Sequence, residues 1–208
     1  MFRIRIQNKK KCIWYCSAVV SFLLFLLLLG WTNHLANTQD AQQMAGRWSE
    51  KKDVAQISCF FSSKAEVTED TIQSFEYSLK NVLQEASITE TSENPSARLW
   101  VDAYSADGKI TLVNGKNTLD ANAIGIGGDF FMFHPLKLIT GSYFSGNDLM
   151  QDYCIIDQDA AWQLFGSNDV VGMTVYIGNV PHIVTGVVQR PDSRMDKAAG
   201  LNSTVVYV

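Results

Sequence analysis

The strongest constraint on this chain is an uncharged apolar segment close to its N-terminus. Cys12–Trp31 holds 17 apolar residues in 20, and the other three are two serines and a glycine. A helix of this length spans about 30 Å, the thickness of the hydrocarbon core of a bilayer. The segment therefore predicts a transmembrane helix, with Trp14, Tyr15 and Trp31 near the headgroup layers at its two ends.

Charge is distributed unevenly about this segment. Residues 1–11 carry five basic side chains and no acidic one, whereas no lysine or arginine follows the segment until Arg47. The positive-inside rule then places the N-terminus in the cytoplasm and everything after Trp31 outside it. A cleaved signal peptide is the alternative, and it would export the body as well. The length of the apolar run and the lack of an A-x-A-like site favour the uncleaved anchor.

The body after the basic tip is acidic. The 197 residues that follow Lys11 carry 12 basic and 21 acidic side chains, a net charge of −9, although the whole chain sums to −4. A body of this charge repels phosphate backbones. Nucleic acid is therefore not a predicted partner, whereas the lipid bilayer is one, through residues 12–31.

The chain divides by composition into four parts. Residues 1–11 form a cytoplasmic basic tip, residues 12–31 the transmembrane helix, residues 32–52 a polar stalk, and residues 53–208 the folded body. In this body, helical and strand-like patterns alternate without an internal repeat. The predicted fold class is α+β: one N-terminal transmembrane helix followed by an extracytoplasmic mixed α/β domain with two helices and about eight strands.

The two helices of the body have clear start signals. Thr68 is a predicted N-cap, and the apolar residues after it recur at helical spacing up to Ala86, as in a helix that covers a sheet with one face. Asp157 is a predicted N-cap for the short helix Gln158–Phe165, which ends at Gly166. In this second helix we expect Leu164 and Phe165 on the buried face and Trp162 on the exposed face.

The strands are predicted from short apolar or alternating runs between turn signals. Asp107-Gly108 predicts a tight hairpin turn between two of them. The expected strands are Asp53–Ser62, Ala97–Ser105, Lys109–Val113, Leu119–Ile126, Cys154–Ile156, Met173–Ile177, Ile183–Val188 and Ser203–Val208.

No catalytic, cofactor-binding or metal-binding residue is predicted. The sequence has no G-x-S-x-G, H-E-x-x-H, S-x-x-K or Walker motif. Gly125–Asp129 is glycine-rich but lacks the Lys-Ser/Thr pair of a phosphate loop, so a structural turn explains it. The histidines and a group of aspartates lack the spacing of metal ligands; they are His34, His134, His182, Asp148, Asp152, Asp157 and Asp159.

The exported body contains two cysteines, Cys59 and Cys154. An oxidising compartment would allow them to form a disulfide. The alternative is two free thiols in separate apolar strands, and the apolar surroundings of both residues favour it.

Three ordered blocks between Leu119 and Val188 resemble a known family. In the first, the strand Ala123–Gly125 precedes Gly128-Asp129-Phe130-Phe131, then Leu138–Phe144, with Ser142 where the family usually has arginine. The others are Ile155–Asp157 leading into Ala161–Gly166, and the pair Val170–Val175 and Ile183–Val188. These blocks resemble the MacB-like periplasmic core domain of FtsX-type ABC transporter permeases.

The resemblance implies a function without catalysis. Such a permease has a first membrane helix, this extracytoplasmic domain and three further membrane helices, and a cytoplasmic ABC ATPase drives it. The implied partners are therefore that ATPase and further permease segments or a second permease copy. The alternative is a single-pass anchored binding or interaction module without transport activity, and an exported enzyme is a weaker third reading. Since the chain stops in a predicted strand, we expect the domain to be incomplete at the C-terminus.

The first prediction concerns topology. In a chain whose own cysteines are replaced by serine, a cysteine introduced beside Val208 should react with a membrane-impermeant maleimide on intact cells, because the basic tip retains the N-terminus inside. A cysteine introduced at Gln7 should react only after lysis. The reverse pattern of labelling would contradict the orientation.

Overall fold

The computed structural model describes residues 2–38, 44–49, 54–89, 98–145, 148, 150–190 and 203–208. The chain forms two compact units, Met1–Ala55 and Gln56–Val208. The predicted stalk residues 39–43 and 50–52 lie outside the described residues, as does Asp53.

The first unit is dominated by one long helix, α1 (Phe2–Thr38). At 1.5 Å per residue its 37 residues extend over about 55 Å. Within α1, Ile13–Leu35 is 23 residues long with a mean hydropathy of 2.3, which is long and apolar enough to cross a membrane. The helix thus continues seven residues beyond Trp31, the predicted end of the span. A second, short helix, α2 (Met44–Trp48), follows in this unit and contains Gly46.

The second unit contains seven strands in one mixed sheet among its described residues. A 3-10 turn, Ser63–Ala65, precedes the helix α3 (Glu69–Glu85). The remaining elements, in chain order, are β1 (Ala103–Asn114), β2 (Asn117–Gly128), α4 (Phe130–Phe133), β3 (Leu138–Gly141), β4 (Tyr153–Asp157), α5 (Gln158–Phe165), β5 (Thr174–Ile177), β6 (Val180–Val188) and β7 (Val205–Tyr207). The predicted class is confirmed, with seven strands described where about eight were expected.

The sheet closes on itself. Its strand order is β3-β6-β4-β7-β2-β1-β5, and β5 also pairs with β6. Six strands therefore form a ring, and β3 is attached to the C-terminal half of β6. The β2–β7 and β4–β6 pairs are parallel and the other pairs antiparallel. Closure gives each ring strand at least two hydrogen-bonded neighbours. The contact between β1 and β5 is short, since only Leu112 and Val113 of β1 pair with β5.

Two apolar clusters occupy the two faces of this sheet. Along β4, Cys154 and Ile156 belong to one cluster and Ile155 to the other, since successive side chains of a strand point to opposite faces. The first cluster contains Leu164 of α5, and the second contains the α4 residue Phe131. Each of the two C-terminal helices therefore covers one face.

Asp157 joins three elements at the end of β4. It is 1% exposed. One carboxylate oxygen, Oδ1, accepts a 2.7 Å hydrogen bond from the backbone N–H of Ala160 and caps α5. The other oxygen, Oδ2, accepts a 3.0 Å hydrogen bond from the N–H of Val205, the first residue of β7. Arg190 lies 3.5 Å from the same oxygen through Nε and contacts Asp159 at 2.6 Å through Nη2. Burial nevertheless raises the pKa of Asp157 above its ordinary value.

The predicted hairpin turn at Asp107-Gly108 is wrong. Ala103–Asn114 is one continuous strand, and Gly108 pairs with Ala123 of β2 in its middle. The chain reverses instead at Gly115-Lys116, where Gly115 has a φ of +60°. A turn there lets twelve residue pairs form along β1 and β2, which a turn at Gly108 would forbid. The Asn114-Gly115 pair carries the same turn signal as Asp107-Gly108.

The predicted strand Asp53–Ser62 is also wrong over its described part. Residues 54–62 belong to no strand, and Phe60 is 93% exposed. An apolar pattern sets the propensity for a strand, but a strand also needs a neighbour with a free edge. No strand of the described sheet pairs with residues 54–62.

Helix α3 begins as predicted but packs differently. Thr68 caps it, and its Oγ1 accepts from the N–H of Thr71 at 3.4 Å. None of its residues is buried, and Phe75 and Val82 are exposed. The helix therefore does not cover a sheet with an apolar face within the described residues.

The short helix α5 confirms the predicted face and provides a matched pair of variants. Leu164 is 1% exposed and Trp162 is 57% exposed, and Phe165 is half-buried against the same cluster as Val175 and Val187.

Leu164→Ala should lower the free energy of unfolding by about 2–5 kcal/mol, because it removes apolar contacts and leaves a cavity. Trp162→Ala should change it by about 0.5 kcal/mol or less. Urea melts of both variants measure the difference, and equal shifts would contradict the packing.

The two body cysteines are free, Cys59 exposed and Cys154 buried in β4. Burial raises the pKa of the Cys154 thiol from 9.0 to about 12. The unfolded chain ionises this thiol first, so its contribution to stability is complete below pH 9 and is lost as the pH rises toward 12. At one pKa unit per 1.36 kcal/mol, the loss is about 4 kcal/mol.

We therefore expect two thiol classes in a chain whose Cys12 and Cys16 are serines. At pH 8, Cys59 should react with a disulfide reagent at once, and Cys154 only as fast as the body unfolds. Cys154→Ala should reduce the loss of stability between pH 9 and pH 11, and Cys59→Ser should leave it unchanged. Rapid modification of Cys154 in the folded chain would contradict its burial.

Candidate functional site

A cavity of about 520 Å³ lies within the second unit, between α3 and the segment that leads into β1. The end of β2 closes one side through Gly128 and Asp129. Its polar lining includes Glu69, Gln73, Glu76, Lys80, Arg98, Asp102, Tyr104 and Asp129, and its apolar lining includes Leu83, Ile88, Leu99 and Trp100.

The helix side of the cavity follows from residue spacing. Glu69, Glu76, Lys80 and Leu83 recur at helical intervals and therefore lie along one face of α3. Three of these four side chains are charged. This polar face of the helix lines the cavity.

The sheet side is fixed by a close backbone approach. The N–H of Asp129 donates a 2.9 Å hydrogen bond to the backbone carbonyl of Asp102. Gly128 has a φ of +62°, and a Cβ at this position would lie 2.6 Å from the same carbonyl oxygen. Only glycine fits here without strain, so Gly128 allows the segment with Asp102 to lie against the end of β2.

The cavity is lined by more acidic than basic side chains. Four acidic and two basic side chains line it, a net charge of −2. Arg98 Nη1 lies 2.7 Å from Asp129 Oδ2 and pairs with that carboxylate. Glu69, Glu76 and Asp102 remain, with Lys80 as the other basic side chain in the lining.

Burial, and after it the neighbouring negative charge, raises two pKa values in the cavity. Burial raises the pKa of Glu76, and the charge of Asp102 and a hydrogen bond between the two carboxyl groups raise it further. Burial also raises the pKa of Tyr104, with added contributions from Glu69, Glu76 and Asp102. Oδ2 of Asp102 is buried and has no hydrogen-bond partner among the described residues. When both carboxyl groups are ionised, this oxygen lacks a donor.

The histidines and aspartates considered at the sequence level do not form a metal site among the described residues. Among the described residues, no three His, Cys, Asp or Glu side chains are placed to hold a metal ion. Asp148 accepts from the N–H of Ser145, and His182 contacts the carbonyl of Val180. Gly125–Gly128 belong to β2, and Asp129 precedes the four-residue helix α4.

The sequence reasoning missed the cavity. Its lining comes from segments up to 60 residues apart, from Glu69 to Asp129. The available signal was local: charged residues recur at helical spacing in α3, on a face beside its apolar residues.

An apolar N-terminal helix followed by an α/β domain is the layout of a membrane-anchored protein with an extracytoplasmic body. A family model, the MacB-like periplasmic core domain, matches residues 20–208. The chain belongs to this family, which is the periplasmic domain of ABC transporter permeases. The family resemblance of the three sequence blocks is thereby confirmed.

Several relatives share part of this chain. The macrolide export ATP-binding/permease protein MacB of Pasteurella multocida is 31% identical over 81 residues, which are 38% of this chain and 12% of the relative. MacB of Chromobacterium violaceum is 33% identical over 92 residues, 43% of this chain and 14% of the relative. The matched part is thus about an eighth of the length of these relatives.

Solved structures show similar domains at low identity. The extracellular domain of the noncanonic ABC-type transporter YknZ from Gram-positive bacteria matches with a TM-score of 0.42 and 22% identity, over 57% of this chain and 66% of that one. The periplasmic region of MacB from Actinobacillus actinomycetemcomitans matches with a TM-score of 0.41 and 22% identity, over 61% and 58%.

The raised pKa of Glu76 predicts a pH-dependent stability. The folded chain holds this proton more tightly than the unfolded chain, so the contribution is complete below pH 4.5 and is lost as the pH rises through the raised pKa. Glu76→Gln, which cannot ionise, should therefore melt at a higher temperature than the wild type at pH 7.5 and at the same temperature at pH 4. Asp107→Asn, an exposed change outside the cavity, is the control. A Glu76→Gln variant that melts lower than the wild type at pH 7.5 would contradict the raised pKa of Glu76.

Proposed function

We propose that this chain is the first membrane helix and the extracytoplasmic domain of an ABC-transporter permease-type protein. It transmits ATPase-driven conformational change to the outside and catalyses no reaction itself. The observation that carries the proposal is the extent of the family match. The match begins at residue 20, inside the span Ile13–Leu35, and continues to Val208, which supports assigning helix and body to one permease-type protein.

The proposed topology is a single pass with a cytoplasmic N-terminus in the cell membrane. Five basic residues in the first eleven support this orientation, because positive flanks remain on the cytoplasmic side. The bilayer is then a partner through residues 12–31, and nucleic acid is not a partner of the acidic body.

The proposed transmission uses the continuity of α1. The helix is unbroken from Phe2 to Thr38, across the whole apolar span. An unbroken helix transmits a displacement along its axis, whereas a kink absorbs it. On the outer side, the closed sheet with its packed faces is suited to move as one body, because close-packed cores deform little.

The proposed partners are a cytoplasmic ABC ATPase and further permease segments or a second permease copy. The relatives in Pasteurella multocida and Chromobacterium violaceum are ATP-binding/permease proteins, which supports an ATPase in the same assembly. The runner-up function is a single-pass anchored binding module without transport activity. The cavity of about 520 Å³ favours it, because binding modules need such a site.

The test combines the chain with an ABC ATPase from the same organism, in nanodiscs. Cys59 is exposed and takes an environment-sensitive fluorophore, with the other cysteines replaced. We expect the ATPase to co-purify and the emission to change with ATP, but not with an ATPase that cannot bind ATP. No co-purification, or no ATP-dependent change, would leave the anchored binding module as the better reading.

A matched pair at Gly30 tests the role of the helix. A Cβ at Gly30 meets no atom within 4 Å, so Gly30→Ala is tolerated. Gly30→Pro removes a helical hydrogen bond and kinks the helix. Gly30→Pro should reduce the ATP-dependent emission change at least threefold with the ATPase still bound, and Gly30→Ala should retain it. Equal signals from the two variants would show that the helix does not transmit the motion.

A further inference from the structure

The cavity between α3 and the segment before β1 has charged and apolar walls that play no part in the proposed coupling to an ATPase. It combines a surplus of carboxylates with an apolar wall formed by Leu83, Ile88, Leu99 and Trp100. Its volume of about 520 Å³ falls within the range of about 300–1,000 Å³ that is typical of sites for small organic molecules.

The carboxylate side of the cavity is suited to a cation that carries hydrogen-bond donors. Glu76 and Asp102 lie within hydrogen-bonding reach of one another, and Oδ2 of Asp102 is buried without a partner among the described residues. A buried oxygen without a donor and two like charges in contact both cost free energy. An ammonium group in the cavity relieves the second cost through its positive charge, and its N–H groups donate to carboxylate oxygens of the lining.

The two basic side chains of the lining do not supply the hydrogen-bond donors that Glu76 and Asp102 lack. Arg98 forms an ion pair with Asp129 at 2.7 Å, and its charge also acts on Asp102 without forming an ion pair within 4.0 Å with it. Lys80 forms no ion pair within 4.0 Å among the described residues. Glu76 and Asp102 both line the cavity, and neither forms an ion pair within 4.0 Å with a basic side chain among the described residues.

The apolar wall argues against a bare metal ion. Hard divalent cations take six or more oxygen ligands, and the described residues hold no group of three side chains suited to a metal. An anion is disfavoured by the net charge of −2. An apolar body on the ligand, in contrast, would cover Leu99, which is exposed, and the half-buried Trp100.

We propose that this cavity binds an organic ammonium ion with a compact apolar body. Glu76 and Asp102 receive the ammonium group, and the wall of Leu83, Leu99 and Trp100 receives the apolar part. The site goes beyond ATPase coupling, and its occupancy is measured on the chain alone.

The test uses three probes that share one apolar cage and differ in charge: 1-adamantylammonium, 1-adamantanol and 1-adamantanecarboxylate. The full chain in phosphatidylcholine nanodiscs is titrated calorimetrically at pH 7.5, and empty nanodiscs are subtracted. We expect the ammonium to bind at least tenfold more tightly than the alcohol, and the carboxylate to give no binding heat.

Two isosteric variants locate the site. Glu76→Gln and Asp102→Asn should each weaken ammonium binding at least fivefold and leave binding of the alcohol within twofold. Asp107→Asn, the exposed control, should bind the ammonium as the wild type does. A thermal melt in parallel shows that the variants are folded, and Glu76→Gln is expected to melt no lower than the wild type.

Three results would overturn the proposal: equal affinity for the ammonium and the alcohol, no binding of the ammonium, or unchanged ammonium binding in a folded Glu76→Gln variant. Because no ATPase is present, these results are independent of the coupling experiment.

Discussion

The body of this protein depends on one buried carboxylate. Asp157 ends β4, starts α5 through the N–H of Ala160 and holds the first N–H of β7 at Val205. Strand β7 lies between β4 and β2 in the sheet, so this carboxylate fixes the strand that connects the two halves of the ring. A buried carboxylate is costly unless its oxygens receive donors. Here two backbone N–H groups and the guanidinium of Arg190 offset part of that cost, and burial still raises the pKa.

The closed sheet and the long helix α3 have different relations to the core. The ring carries the buried apolar clusters on its two faces, and α5 contributes Leu164 to one of them. Helix α3 contributes no buried residue and meets the segment before β1 through charged side chains. A cavity remains between them because carboxylates do not close on one another as apolar side chains do. The most stable part of the unit is therefore separate from the part whose chemistry suits a ligand.

Family membership and local chemistry answer different questions about function. The family match over residues 20–208 identifies a periplasmic domain of the ABC transporter permease type. It assigns no role to Glu76 or Asp102, since fold and family do not determine what a particular site binds. Helix α1 bears on the proposed coupling to an ATPase, and the carboxyl pair bears on the proposed ligand. The two proposals rest on separate residues.

The sequence by itself determined the features whose causes are local. The apolar segment gives α1, and the caps Thr68, Asp157 and Gly166 mark helix ends where the structure has them. Each of these features is set by the chemistry of residues within a few positions along the chain. The strands β2 and β4 were found for the same reason, from short apolar runs between turn residues.

Only the tertiary structure decided the turn of the first hairpin, the fate of residues 54–62 and the cavity. Asp107-Gly108 and Asn114-Gly115 are equivalent turn signals, and the pairing of β1 along the full length of β2 selected the second. Residues 54–62 have a strand-like pattern, but no strand of the described sheet pairs with them, and strand formation depends on such neighbours. Glu76 and Asp102 are 26 positions apart, and their approach depends on how Gly128 admits the backbone of Asp102. Contacts between distant segments depend on the whole packed arrangement, which no local pattern encodes.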